Sequence, residues 1–342
     1  MSETGAPVFS VRVGYDAHGI GGLVEKARYA EAMGFDQVWT GNDLFGGPGI
    51  ASLAAMMTAT SRIKVGSGVL DPVSIHPVQL AQLASGFQEL SGDRFLLGLG
   101  AGSDVFFRRA GITPARPVPR TRAAIVAVRA LTEGRSPAGL PGAGEGWDEQ
   151  AGIEAPRPVP VYLGAMGPKM LELAGRHADG ALPLCLPPRQ VHDAMARIGH
   201  GAEAAGRTVG DLDVAACVWC SIDDDRDSAR RALARFIARY SGSLSTDTLA
   251  AQGFDPEEFA RTQALVDEGR IDDATTAVLT SSSMLGLGIV GGAHDVLDQC
   301  AELLAAGARH ISFGPPLGPD QRHAMRILGE KVLPRLRERP AP

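Results

Sequence analysis

Cysteine is scarce in this chain: four in 342 residues, at Cys185, Cys217, Cys220 and Cys300. Cys217 and Cys220 have CxxC spacing, but they sit in the apolar run "DVAACVWCSI", which reads as a strand. No second CxxC and no HxxxH pair completes a metal site. A buried structural pair is the expectation, and no metal. No basic cluster offsets the net charge of −6, which argues against nucleic acid as a partner. The opening "MSETGAPVFS" lacks the basic and apolar regions of a signal peptide. One stretch, Ala274 to Ala293, is uncharged for long enough to span a bilayer, but its six Ser/Thr and four Gly speak against insertion. It reads as a buried loop with a short helix, and a cytoplasmic protein with no membrane partner is expected. After the first strand, "GYDAHGIGG" lacks the G-x-G-x-x-G spacing of a dinucleotide loop, which counts against a doubly wound sheet.

What the chain has in quantity is glycine, 43 residues, and one recurring unit. An Ala-rich helix runs into glycine and then a short apolar strand. The unit appears in "EKARYAEAMGFDQVWT", "QLASGFQELSGDRFLLGLG", "MLELAGRHADGALPL" and "CAELLAAGARHISFG". Leu23, Ala27, Ala30 and Met33 share one helical face, and Gly34 supplies the stop. Repeated helix-to-strand units predict parallel strands with helical crossovers. Eight strands are expected near 10–15, 36–40, 63–69, 94–99, 159–164, 179–183, 212–220 and 310–314. Helices fall between them, and a mostly helical insertion lies near 241–290. This predicts a (β/α)8 TIM barrel as a single domain over 1–342.

Active sites of such barrels are built at the carboxyl ends of the strands. Here those ends read "TGNDLFGG", "GSGVLDP", "GLGAGSD", "LGAMGPK" and "FGPPLG". Glycine at five strand ends suggests a large flat or phosphorylated ligand lying against bare backbone. "GAMGPK" just before a helix offers N–H groups suited to an anion.

The segments "RYAEAMGFDQVWT", "IKVGSGVLDPVSIHPVQLAQ", "ELSGDRFLLGLGAGSD", "VPVYLGAMGPKMLELAGRHADG" and "LPRLR" resemble, in order and over nearly the whole chain, the bacterial luciferase-like oxidoreductases. The resemblance is nearest to members using the deazaflavin coenzyme F420, such as methylenetetrahydromethanopterin reductase. It implies a non-proline cis bond at Gly68-Val69, with Val69 supporting the face of the ring. It implies that Gly164, Ala165, Met166, Gly167 and Pro168 receive the cofactor phosphate through backbone N–H groups. Leu184, Cys185 and Leu186 would line the other side of that tail, and Ala101, Gly102 and Ser103 would lie near the ring. A homodimer paired through helices near strands two and three is also implied.

Two positions depart from the family pattern. Where deazaflavin members usually carry Asp-His after strand two, this chain has Asn42-Asp43; where they carry an acid after strand four, it has Ser103, with Asp104 next. Asp43 is the favoured proton donor or acceptor beside the ring, and Asp104 the second candidate. His18 and His76, both at helix starts, are candidate substrate contacts. The function implied is hydride transfer between F420 and a small organic substrate bearing C=C, C=N or C=O. Its alternatives are an FMN-dependent monooxygenase and a non-catalytic flavin-binding relative, which the altered acid positions would suit. The substrate pocket is expected against 241–290, with the apolar run Met284 to Val290 as one wall.

Overall fold

The computed structural model describes residues 6–113, 116–183, 190–244 and 246–338. Among the described residues are nine strands: β1 Val8–Arg12, β2 Gln37–Thr40, β3 Lys64–Ser67, β4 Phe95–Leu99, β5 Val161–Ala165, β6 Gly180–Pro183, β7 Asp213–Ile222, β8 Gly288–Gly291 and β9 His310–Leu317. The pairings run in parallel from β1 to β8, and β9 lies between β1 and β7. Because β6 also pairs with β7, strands β1 to β7 and β9 close an eight-stranded barrel, as expected.

Between and around the strands lie α1 Gly19–Ala32, α2 Gly49–Ala59, α3 Pro77–Ser91, α4 Asp104–Arg109, α5 Pro117–Thr132, α6 Pro168–His177 and α7 Val191–Glu203. The remainder are α8 Arg226–Tyr240, α9 Thr246–Ala251, α10 Pro256–Asp267, α11 Ile271–Thr280, α12 Ala293–Ala305, α13 Gln321–Ile327 and α14 Leu333–Arg337. Among the described residues no helix is long and apolar enough to cross a membrane.

The recurring helix-glycine-strand unit has a specific hydrogen-bond form. At the end of α1, Gly34 takes φ +79°, in the left-handed region, and the following Phe35 N–H returns to the Ala30 carbonyl at 3.1 Å. After α12, Gly307 at φ +97° does the same, and Ala308 N–H reaches the Leu303 carbonyl at 3.0 Å. The bond ties up a carbonyl that the helix end leaves open and turns the chain directly into a strand.

The chain gathers into two compact units. One comprises Ser10–Pro183 with Ala194–Ala215, and holds β2 to β6 entire. Inside its strands, Trp39 Nε1 donates to Gln37 Oε1 (3.0 Å), and Gln37 Nε2 donates to Asp213 Oδ2 (3.1 Å). Tyr162 OH donates to the same oxygen (2.7 Å), so each polar group in this interior chain has a partner. Burial first, then the Asp213 carboxylate, pushes the Tyr162 phenol well above its usual range. Outside, Arg94 donates to the carbonyls of Met57, Thr60 and Ile63 and to Thr60 Oγ1, covering the end of α2.

The other unit takes in the chain from Ala216 onward. Here the helical insertion was legible, since α9, α10 and α11 occupy most of 241–290. They bury Leu249, Phe254, Phe259, Ala274 and Val278 against Trp219 of β7 and Leu233 and Ile237 of α8. Within the uncharged stretch, the loop and short helix expected of 274–293 are only part of what is there. Residues 288–291 form β8, which pairs with Trp219 to Ile222 of β7. Four residues with two glycines give too little strand pattern to stand out; only pairing with a buried edge makes them a strand. Cys217 and Cys220 are both buried in β7.

Candidate functional site

β3 stops at Ser67, two residues before the expected end, and the chain bends away at the second of its glycines, Gly68. The Gly68-Val69 peptide bond is cis, and just after it Leu70 forms a bridge with Leu99. Gly68 N–H donates to the Thr40 carbonyl (2.8 Å), and Leu70 N–H to that of Gly98 (2.8 Å). The bend is thus stitched to β2 on one side and β4 on the other.

What crowds this segment is its own neighbours. A Cβ on Gly66 would collide with the Trp39 indole, and one on Gly98 with the Ser67 carbonyl oxygen. A Cβ on Gly100 would stand 2.6 Å from Val69 Cγ2, and one on Gly164 3.0 Å from Val69 Cγ1. Val69 therefore sits wedged between the glycine ends of β4 and β5. Internal packing by itself already excludes a side chain at Gly66, Gly98, Gly100 and Gly164. Gly102, at φ +73°, lies against Phe107 and Asp71 in the same way. Gly167 is different, because a Cβ there would meet nothing within 4 Å and its φ is −92°. Its backbone therefore borders open space.

Gly167 is the N-cap of α6, which begins with Pro168. No side chain caps this end and no acid occupies its first turn, although the Gly167 carbonyl already accepts from Met170 and Leu171. Ala165 is buried in β5, while Met166 is 44% exposed beside this helix start. Such an end presents N–H groups and positive potential outward. Leu184, Cys185 and Leu186 lie outside the described residues.

After β2, Asn42 is partly buried and Asp43 is solvent-accessible. The Asp43 carboxyl is nevertheless pushed above the usual carboxylate range, first by desolvation from the surrounding protein and then by the charge of Asp71. Asp71 is buried at 6% exposure. Its Oδ1 accepts from the N–H groups of Val73 (2.9 Å) and Ser74 (2.7 Å), and its Oδ2 from Ser74 Oγ (2.6 Å). It is the functional candidate that motif reading passed over. The signal was there in "DPVS", an acid with Pro and Ser at the positions of a side-chain-closed turn. Phe45 after β2 meets Phe106 of α4 edge-on at 6.1 Å. Ala101 is partly buried and Ser103 is the N-cap of α4; Asp104 is exposed in the first turn of that short helix.

The two histidines are placed at helix starts, as read, each with a local task. His76 Nδ1 accepts from Val78 N–H (3.3 Å) at the start of α3, and its ring lies 5.8 Å from that of Trp147. His18 precedes α1, where its backbone N–H donates to Asp16 Oδ1 (2.9 Å). The Lys26 ammonium, 2.6 Å from Asp16, holds that carboxyl below its usual range. Asp43, Asp71, Gly102 and the Val69 wedge all belong to one unit. Among the described residues no group of His, Cys, Asp and Glu is arranged to hold a metal ion.

The model of the luciferase-like monooxygenase family matches residues 7–310. This chain belongs to that family. Among its family relatives is a 5,10-methylenetetrahydromethanopterin reductase of Archaeoglobus fulgidus, 31% identical over 317 residues that cover 91% of this chain and 94% of the relative. Another is an F420-dependent glucose-6-phosphate dehydrogenase of Nakamurella multipartita, 29% identical over 96% of this chain and 97% of the relative. The coenzyme F420-dependent tetrahydromethanopterin reductase of Methanopyrus kandleri shares the fold with a TM-score of 0.87 at 27% identity. That match covers 97% of this chain and all of the other. The family relatives named here are oxidoreductases, and two of the three are named for F420.

Proposed function

We propose that this luciferase-like protein is a coenzyme F420-dependent oxidoreductase acting on a small organic substrate with a C=C, C=N or C=O bond. The observation that carries the reading is the Val69 wedge, with the Asp43–Asp71 pair close to its rim. The relatives' dependence on F420 supports the choice of cofactor.

The residues present fit a deazaflavin nucleotide-like group. Val69, fixed between Gly100 and Gly164, offers a rigid apolar shelf for a flat ring. The open Gly167 and the uncapped start of α6 suit a phosphate, which backbone N–H groups bind without a basic side chain. When bound, F420 supplies a hydride donor or acceptor at ring carbon C5. Asn42, Ala101, Gly102 and Ser103 orient the ring from the loops after β2 and β4. Asp43, with its pKa raised, keeps its proton to higher pH than a free aspartate and delivers it to the reacting substrate atom. Asp71, held by three donors in its own turn, acts through Asp43. We propose in addition that the protein pairs as a homodimer through an exposed face of α3, where Leu83, Phe87 and Leu90, with Gln79 and Gln82, line a groove with Ile75 just before the helix and Ile50 of α2.

Equilibrium titration with oxidised F420 and with FMN, read by absorbance, tests the cofactor directly. Saturable binding of F420 in preference to FMN is expected. Preference for FMN, with oxygen uptake on reduction, would overturn the reading in favour of a monooxygenase. Tight F420 binding with no hydride transfer to any carbonyl, imine or enone in a broad panel would leave a binding protein without turnover.

A further inference from the structure

We infer that the recess between α5, α6 and the end of α7 is a binding site for a small, multiply charged oxyanion. It has a volume of about 400 Å³ and is lined by Arg122, Lys169, Glu172, Arg176 and His177. Lys169, Glu172 and Arg176 are spaced i, i+3 and i+7 along α6, so they share one helical face, with the two cations roughly 10 Å apart. Arg122 of α5 shares the lining, its guanidinium also packed against Gly142.

The charges around this recess divide into two kinds. Arg129 is accounted for: it pairs with Asp179 at 2.6 Å and donates to the His177 carbonyl at 3.0 Å. Arg207 is too, donating to the carbonyl of Ala178 at 2.8 Å. Arg122, Lys169 and Arg176 form no ion pair among the described residues, and Glu172 is the only carboxylate in the lining. Arg122, Lys169 and Arg176 are themselves exposed, but like charges gathered around a concave place focus a positive potential, and guanidinium groups match oxyanions in geometry as well as charge. His177 records that potential. Its imidazole is pushed below the usual range by burial first, then by Arg122, Arg176, Arg129 and Arg207 in turn. The length of the row favours an anion with two separated charged groups over chloride. Such an occupant sits along the side of α6 from Lys169 in its first turn to Arg176, whereas the proposed cofactor phosphate belongs at the backbone of the helix start, about 14 Å from His177. The site stands independently of the proposed function.

The test is a titration of the whole protein with pyrophosphate and, separately, with citrate, ionic strength being held constant with NaCl. Histidine NMR resonances supply the local readout, His177 being assigned by loss of its signal in His177→Gln. Saturable binding of one anion per chain is expected, with the His177 titration midpoint moving up as the anion offsets the guanidinium charges. Pyrophosphate alone, or both anions, meets the expectation; the comparison says whether phosphate is selected over carboxylate. Arg122→Gln and Arg176→Gln should each weaken binding at least tenfold, about 1.4 kcal/mol. Gly167→Asp should leave the His177 response intact. Effects matched by NaCl alone, or a His177 signal that does not move, would overturn the inference. So would undiminished affinity in both arginine variants. Should either variant fail to fold, the wild-type His177 response decides alone.

Discussion

Asp43 is open to solvent, yet the protein around it and the neighbouring Asp71 both disfavour its charge. For a carboxyl, a raised pKa means that the proton is kept to higher pH, so an acid role is available where an ordinary aspartate has already ionised. The residue-scale expectation is that Asp43 titrates above the usual aspartate range by ¹³C NMR. In Asp71→Asn its midpoint should fall, because the like charge is gone, but not all the way, because desolvation is the larger cause and remains. The asparagine can still accept from Val73 and Ser74, so the turn should persist. Once a substrate is found, turnover should fall as pH rises through the Asp43 midpoint. Asp43→Asn should lower turnover roughly 10²–10⁴-fold with cofactor affinity nearly unchanged. A larger loss in Asp104→Asn would move the acid to the loop after β4.

At the scale of elements, glycines that look alike in the sequence separate into two groups with opposite consequences. Gly100 exists because Val69 occupies the space a side chain would need. Gly100→Ala should force Val69 aside and cost about 1–3 kcal/mol of stability in a urea titration, as overpacking does. Gly167 has open space and an ordinary φ, so Gly167→Asp should leave the urea midpoint unchanged or slightly raised, since an aspartate caps a helix start well. It should weaken F420 at least tenfold, about 1.4 kcal/mol, by placing a carboxylate at a helix start meant for phosphate. Unchanged F420 affinity in a folded Gly167→Asp protein would put the phosphate elsewhere.

Glu31 gives a second test at this scale. Burial opposes its charge, but three backbone N–H donors, from Ser61, Arg62 and Ile63, hold its pKa below the usual value. A carboxylate depressed on folding adds stability above its unfolded pKa, and that contribution is lost as pH falls through the folded value. Glu31→Gln should therefore lower stability at neutral pH and flatten its decline between neutral and acidic pH, read by thermal melts across that range. A parallel decline in both proteins would show the three bonds to be energetically silent.

For the whole molecule, the proposed dimer predicts a change in mass from one exposed residue. Leu90 is 47% exposed on α3, beside Phe87 and Leu83. Leu90→Glu should bring the mass by light scattering from that of two chains to that of one, since a charge buried without a partner opposes association. A wild-type chain that is monomeric at micromolar concentration would remove the proposal.

The barrel was readable in the sequence because its cause is local. A glycine that ends a helix, an apolar residue that returns to it and a short strand follow one another within a few residues, and Gly34 and Gly307 each close the same bond. The positions of Asn42, Asp43, Ser103 and Gly167 at strand and helix ends were readable for the same reason. Partnership was not. Whether Gly100 clears room for a ligand or for Val69 depends on β3 meeting β4 and β5, segments some 30 to 95 residues apart in the chain. The Asp43–Asp71 pair, the Trp39–Gln37–Asp213–Tyr162 chain and the strand at 288–291 likewise exist only once distant segments are adjacent. Local bonding determines elements and their ends; burial, charge and clearance are properties of neighbours, and the closed barrel chooses them.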